Sequence, residues 1–536
     1  MTALTGTGGL ARLILRRDRF LMPVWALFLG LMPLNFVAAT EELYPTAAAQ
    51  ENYARTTGES PTFLALYGPM HDTSIAAIVA QRSGFIPVMV ALFCALTVIR
   101  HTRTEEEAGR RELLGATVIG RGAGLAAALL VTGGAALAIG IVLAGGMTAM
   151  GMPAAGSIAF GLQLALAGWV FTAVAGVAAQ LTEGAGAARG IALTALGGAF
   201  VVRMAADAGG EGNGLSWLSW LSPLGWGTRL QAYGGEQWWV LAVPAAAVAL
   251  LVAAAAYLTA RRDVGAGILP PSLGPADAAP SLSGPFGLAW RLHSRGLYGW
   301  LAGFAALGVV WGGVAGTVQD MVADNPDLEE IFSRLGGGTG GIVDVYFGTV
   351  MGMMGVIAAG YAVSATLRMR AEETAQRAEP ILATAVGRVR WAASHLVFAL
   401  LGTAAVQAVG GLATGLTHGL DTGDVGGQLP RVTAAALAQL PAVWLIAAVT
   451  LALAGLVPRF SAAGGWGALA VAAVLTLFGA AFQADQWLLD VSPFTHIPKL
   501  PAQDAELAPF AWLTALVLVL GAAGLAGLRR RDMATG

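Results

Sequence analysis

RTEEEAGRRELLGATVIGR, Arg103 to Arg121, is a densely charged stretch in an otherwise apolar chain, and it occurs twice. The second copy, RAEETAQRAEPILATAVGR, runs without a gap from Arg370 to Arg388, 267 residues further on, with ten of nineteen positions identical. A self-match at almost half of 536 residues means two related halves, each carrying one such element. A shorter match, Ser222-Pro223 and Ser492-Pro493, recurs at an offset of 270 and supports the duplication.

The composition places both halves in a lipid bilayer. Hydrophobic residues make up 56% and charged residues 12%, about half the charge of a soluble domain. A net charge of −2 and the lack of a basic tail give no footprint for nucleic acid. The single cysteine, Cys94, excludes an intrachain disulfide and a cysteine-based metal cluster, and its apolar run makes it a packing residue. The histidines, at 71, 101, 293, 395, 418 and 496, have no metal-binding spacing.

A spanning helix needs about 20 mostly apolar residues. Such runs fall near 20–40, 83–100, 122–146, 154–180, 188–207 and 237–259, then near 298–318, 346–367, 392–416, 432–456, 463–482 and 509–528. The expected fold is all-α and polytopic, with 12 transmembrane helices in two homologous six-helix halves, residues 1–262 and 287–536. Between them, residues 263–286 hold five prolines and four glycines and read as a cytoplasmic linker. Arginine is concentrated in segments on the N-terminal side of the membrane. By the positive-inside rule both termini and both charged copies are then cytoplasmic, in a multi-pass protein of the plasma membrane.

Ahead of the first span, GLARLILRRDRF sets Arg12, Arg16 and Arg19 along one helical face and Leu10, Leu13 and Ile14 on another, the pattern of a helix lying on the membrane surface. GLAWRLHSRG is a weaker echo before the seventh span. Two external segments, about 41–82 and 319–345, are acidic, and Leu66-Tyr67-Gly68-Pro69 predicts a turn in the first. DNPDLEEIFSRLGGGTGG, from Asp324, predicts a short helix in the second.

On a continuous helix, Glu106 faces Arg110, Glu107 faces Arg111 and Glu373 faces Arg377 at i,i+4. Such pairs contribute only about 0.2–0.5 kcal/mol each, so the repeat reads as a recognition surface for a soluble partner. The first copy is expected to run as one helix, whereas Pro380 forces the second to restart and makes the two unequal. No nucleotide-binding GxxxxGK[ST] loop exists, and the only lysine, Lys499, lies between Pro498 and Leu500, so this chain cannot supply that ATPase chemistry itself. No Asp or Glu lies in the middle of a span, which argues against ion coupling; Gln163, Gln407 and Gln439 are polar but carry no proton cycle. Phe85, Met89, Phe93, Met351, Met353 and Met354 are the candidates for an adaptable apolar substrate cavity.

Two six-span halves without an ATPase, with EE-x3-R-x-E and then A-T-x2-G-R after each second span, resemble the fused permeases of ABC-2-type exporters. The likeness is to the actinobacterial polyketide-antibiotic (tetronasin-resistance) type, and it covers essentially the whole chain. It implies a type V exporter-like fold and two copies of a separate ABC ATPase that bind ATP and Mg. The implied cargo is an apolar antibiotic or drug. Residue by residue, the implied ATPase-coupling positions are Glu105, Glu106, Arg110, Glu112 and Arg121, with Glu372, Glu373, Arg377, Glu379 and Arg388. The rival is an ion-coupled major-facilitator transporter, of whose signature only Gly109-Arg110-Arg111 is present.

Overall fold

The computed structural model describes residues 2–58, 61–115, 117–208, 214–269, 274, 276–323, 341–478 and 485–532. All regular structure among them is helical, and twelve helical segments are long and apolar enough to cross a membrane. We number these spans α1 (Leu21–Leu43), α2 (Ile86–Glu107), α3 (Ala123–Ala149), α4 (Ala154–Leu181), α5 (Ala185–Asp207), α6 (Trp238–Arg261), α7 (Pro285–Gly316), α8 (Val343–Thr374), α9 (Arg388–Thr422), α10 (Val425–Leu456), α11 (Pro458–Leu477) and α12 (Leu507–Arg530). Helices suit this composition because each satisfies its backbone hydrogen bonds internally, which lipid demands. The chain divides into two compact units, Met1–Gly274 and Pro275–Gly536, with six spans in each. Part of the segment expected as a linker, 270–273 and 275, lies outside the described residues, as does 324–340 with the helix expected there.

Each unit ranks its spans alike. In both units 72% of the most apolar stretch of the second span is buried and 17% of that of the sixth, and in the first unit α4 is buried as fully as α2, so the second span lies inside and the sixth faces outward. Small residues let the inner helices touch. A Cβ on Gly140 of α3 would collide with the Gly161 carbonyl of α4, and one on Gly455 of α10 with the Gly524 carbonyl of α12. Two tryptophans register the halves. The Trp169 indole donates to the Gly133 carbonyl (2.9 Å), and the Trp444 indole to the Leu400 carbonyl (3.2 Å). Gly133 and Leu400 are 267 apart, Trp169 and Trp444 275 apart. The difference sits in the third span of each half, 27 residues in α3 and 35 in α9.

The Ser-Pro match is structural as well. Ser222 Oγ donates to the Ala199 carbonyl (2.6 Å) and Ser492 Oγ to the Ala472 carbonyl (3.3 Å), each on the preceding span. The expected surface helix forms at Thr7–Arg17, with Ile14 buried. Its echo does not form separately: Pro285–Ala323 is one unbroken helix, because nothing between Leu288 and Tyr298 breaks it. In the first unit, short helices form at Ala47–Tyr53, Pro61–Tyr67 and Ile75–Arg82 of the acidic segment, with Gly68 in the left-handed turn conformation (φ 94°). Arg203 of α5, only 2% exposed, holds this segment down by donating to the carbonyls of Ala65 (3.2 Å), Leu66 (2.6 Å) and Gly84 (3.1 Å).

Candidate functional site

The two charged copies form elbows after α2 and α8. The expectation of one helix from Arg103 to Arg121 is overturned: α2 ends at Glu107, a second helix spans Arg110–Gly115, and α3 starts at Ala123. The second copy breaks at the same aligned place. Gly109 (φ 68°) and Gln376 (φ 59°) both take the left-handed conformation, and their amides donate to the carbonyls of Glu106 and Glu373, each at 3.0 Å. Helices commonly stop this way, because a left-handed residue turns the chain while the last carbonyls still receive donors. Pro380 lies after this break, in the first turn of Glu379–Leu382, so it starts a helix and does not cause the interruption.

The break changes the ion pairs from i,i+4 to i,i+5. Arg110 grips Glu105 (2.7 and 2.9 Å), Arg377 grips Glu372 (2.7 and 3.2 Å), and Arg111 meets Glu106 (2.8 Å). These hydrogen bonds to carboxylates raise the pKa of the exposed Arg110 and Arg377, whereas burial lowers that of Arg111.

The second glutamate of each copy turns inward. The Glu106 side chain is 1% exposed and lies among Arg103 (2.8 Å), Arg111 and Arg262. Arg262 follows the last span of the first half and binds Glu106 with two parallel bonds of 2.8 and 2.9 Å. In the second unit Glu373 meets Arg370 (2.9 Å) and Arg531 (2.5 and 2.6 Å), and Arg531 follows the last span of that half. The closing arginine repeats the pattern: Arg121 donates to the Arg262 carbonyl and Arg388 to the Arg531 carbonyl (2.6 Å). A two-pronged guanidinium–carboxylate pair fixes orientation as well as distance. The charge that the i,i+4 argument placed on a helix surface therefore clamps each elbow to the end of the sixth span of its half.

What remains on the surface is shared between the copies. Arg110 and Glu112 are exposed in the first, Arg377 and Glu379 in the second. Glu105 is half-buried, bonded also by Arg17 of the surface helix, and Glu372 is buried beside Arg368. Sequence reasoning missed Arg262 and Arg531. The signal was their matched place, 269 residues apart, immediately after each sixth span.

The cavity candidates scatter. Met351 and Met354 are fully buried in the second unit's core, and Met353 is half-buried. Phe93 is buried and stacked on Trp25 (5.6 Å), Met89 is half-buried, and Phe85 is exposed beside Phe200. An apolar crevice of about 580 Å³ does open in the first unit, lined by Leu125, Leu129, Trp169 and Val252 of α3, α4 and α6. None of Phe85, Met89 and Phe93 lines it.

Two comparisons with known proteins give matches by sequence. A family model described as "Multidrug efflux system permease Rv1217c, C-terminal domain" matches residues 282–529. The chain is 44% identical to the multidrug efflux system permease protein Rv1217c of Mycobacterium tuberculosis over 531 residues, 99% of this chain and 95% of that protein.

Proposed function

The chain belongs to the family of the multidrug efflux system permease Rv1217c, and on that premise we propose that it is the membrane permease of an ATP-driven ABC exporter that moves apolar drugs outward. Within that reading it is a fused ABC-2-type permease of the polyketide-antibiotic exporter kind, with no ATP chemistry of its own. ATP and Mg are held by two copies of a separate ATPase, which dock at the two elbows from the cytoplasm, where both termini also lie.

One observation carries the reading: equivalent elbows with equivalent exposed charges, Arg110/Glu112 and Arg377/Glu379, each locked to a buried glutamate clamp. A docking partner that pushes on such an elbow moves the sixth span with it, because Glu106–Arg262 and Glu373–Arg531 leave little slack. Gly109-Arg110-Arg111, the stretch that suggested a major-facilitator transporter, is a left-handed break followed by ion-paired arginines.

Native mass spectrometry of the permease co-expressed with its candidate ATPase tests the proposal. One permease with two ATPase copies is expected; one ATPase per permease, or ATP hydrolysis by the permease alone, would refute it. In a Cys94→Ser background, cysteines at Gly109 and Gln376 are expected to react only from the cytoplasm.

A further inference from the structure

Three polar groups in the interior of the second unit have no hydrogen-bond partner among the described residues: the Tyr361 hydroxyl, both amide atoms of Gln407 and the Gln439 Oε1. Their residues are 4%, 0% and 3% exposed and belong to α8, α9 and α10. Gln407 and Gln439 occupy one level of the core. Gly411, Gly415 and Gly419 of α9 lie against Thr433, Leu429 and Val425 of α10, so these two spans run antiparallel. Gln407 is one turn before Gly411, and Gln439 is one turn after Ala436, which Gly411 also touches. Both residues are thus displaced the same way from a shared contact. On α8, Met354 lies against Gly410 and Tyr361 against Gly402, so the Tyr361 hydroxyl lies about a turn and a half from Gln407 along α9. A Cβ on Gly355 would meet Gln439 Oε1 at 3.2 Å, so that amide also points toward α8.

The equivalent positions of the first unit carry neither an amide nor a phenol. The 267-residue offset sets Tyr361 against Cys94 and Gln407 against Gly140, and the 275-residue offset of the paired tryptophans sets Gln439 against Leu164. Cys94 and Leu164 are fully buried, and Gly140 touches the Gly161 backbone directly. Duplication therefore left small or apolar residues at these positions in one half and put three hydrogen-bonding side chains from three spans into the other. A buried amide without a partner is strongly disfavoured in a low-dielectric interior, and an occupant that supplies the missing bond is favoured by as much. Tyr361, Gln407 and Gln439 are all uncharged, which selects a neutral occupant over an ion. The surrounding Met351, Met354 and Val406 are fully buried and apolar, and a few polar groups in an apolar wall are what orient a small molecule.

We propose that Tyr361, Gln407 and Gln439 form a hydrogen-bonding subsite, confined to the second half, for a carbonyl or hydroxyl oxygen of the transported molecule. It rests on the drug-export reading and adds that the cargo is a neutral amphipathic molecule read unequally by the two halves. A site built to bond an oxygen discriminates against an analogue that lacks it, because its own polar groups are then left unpaired.

The test uses the full-length permease in lipid nanodiscs with two probes, pyrene and 1-hydroxypyrene. Binding is followed by energy transfer from tryptophan, with empty nanodiscs subtracted. Wild type is expected to bind 1-hydroxypyrene about tenfold more tightly than pyrene, the size of one net hydrogen bond. Gln407→Leu, Gln439→Leu and Tyr361→Phe are each expected to reduce that preference toward unity and leave pyrene binding unchanged. A wild type without preference, or variants that keep it, overturns the proposal; the second result assigns the amides to internal water alone. Tyr361→Phe removes a single oxygen and keeps the test decisive if a leucine variant melts early. Failure of the export reading shows separately, as loss of ATPase copurification, and leaves the probe ratio untouched.

Discussion

The two elbows bend at the same residue by different means. At Gly109 the left-handed conformation is free of steric cost, whereas at the aligned Gln376 a side chain must tolerate φ 59°. Both nevertheless place a glutamate under the arginine that follows the sixth span. The tertiary clamp therefore dictates the break, and the local residue sets only its energetic cost. Outside the clamp the units differ. Glu107 accepts the Ala185 amide (2.7 Å) and so caps α5, while its counterpart in the second elbow is Thr374. Asp18 ties the first surface helix to Arg100 (2.9 Å) and His101 (2.5 Å). In the second unit the corresponding region of α7 is joined to α9 by His293 and His395 (3.0 Å).

Glu106→Ala is expected to have the largest effect, because it leaves Arg103, Arg111 and Arg262 facing one another without their anion. Breaking a buried pair in this way costs about 3–5 kcal/mol, read as a lower melting temperature in detergent. A silent Glu373→Ala would break the equivalence of the two clamps. Next comes Arg203→Leu, which strips the donors from three carbonyls and is expected to cost about 3 kcal/mol. Limited proteolysis should then cut within residues 61–84 and spare the second unit; equal cutting in both would contradict the staple.

Gly140→Gln copies the second half into the first and forces apart two helices whose backbones touch. Overpacking of this kind costs about 1–3 kcal/mol. An unchanged melting temperature would mean that this backbone contact yields to an amide side chain. Gln376→Gly is expected to stabilise by about 1 kcal/mol and Gly109→Gln to destabilise by a similar amount. Opposite signs sharpen the comparison, and equal signs end it. Pro380→Leu should be smallest, within about 0.5 kcal/mol, since a first-turn proline gives up no helical donor. A large effect would restore the proline as the source of asymmetry.

The twelve spans were legible because lipid imposes a length and an apolar composition that can be counted along the chain. The duplication was legible because ten identical residues survive in one register. Gly109 was visible as a glycine, yet nothing local required Gln376 to turn left-handed in the same place. The identity of the polar residues at 407 and 439 could be read directly, but not that they share a level where the first half has Gly140 and Leu164. Composition and periodicity along one chain thus determined how many helices form and which pairs are related. The partners of Glu106 and Glu373 lie about 156 and 158 residues away, and a long-range ion pair has no periodicity to betray it. Only the packing of the sixth span against the elbow decided that the repeated glutamates point inward.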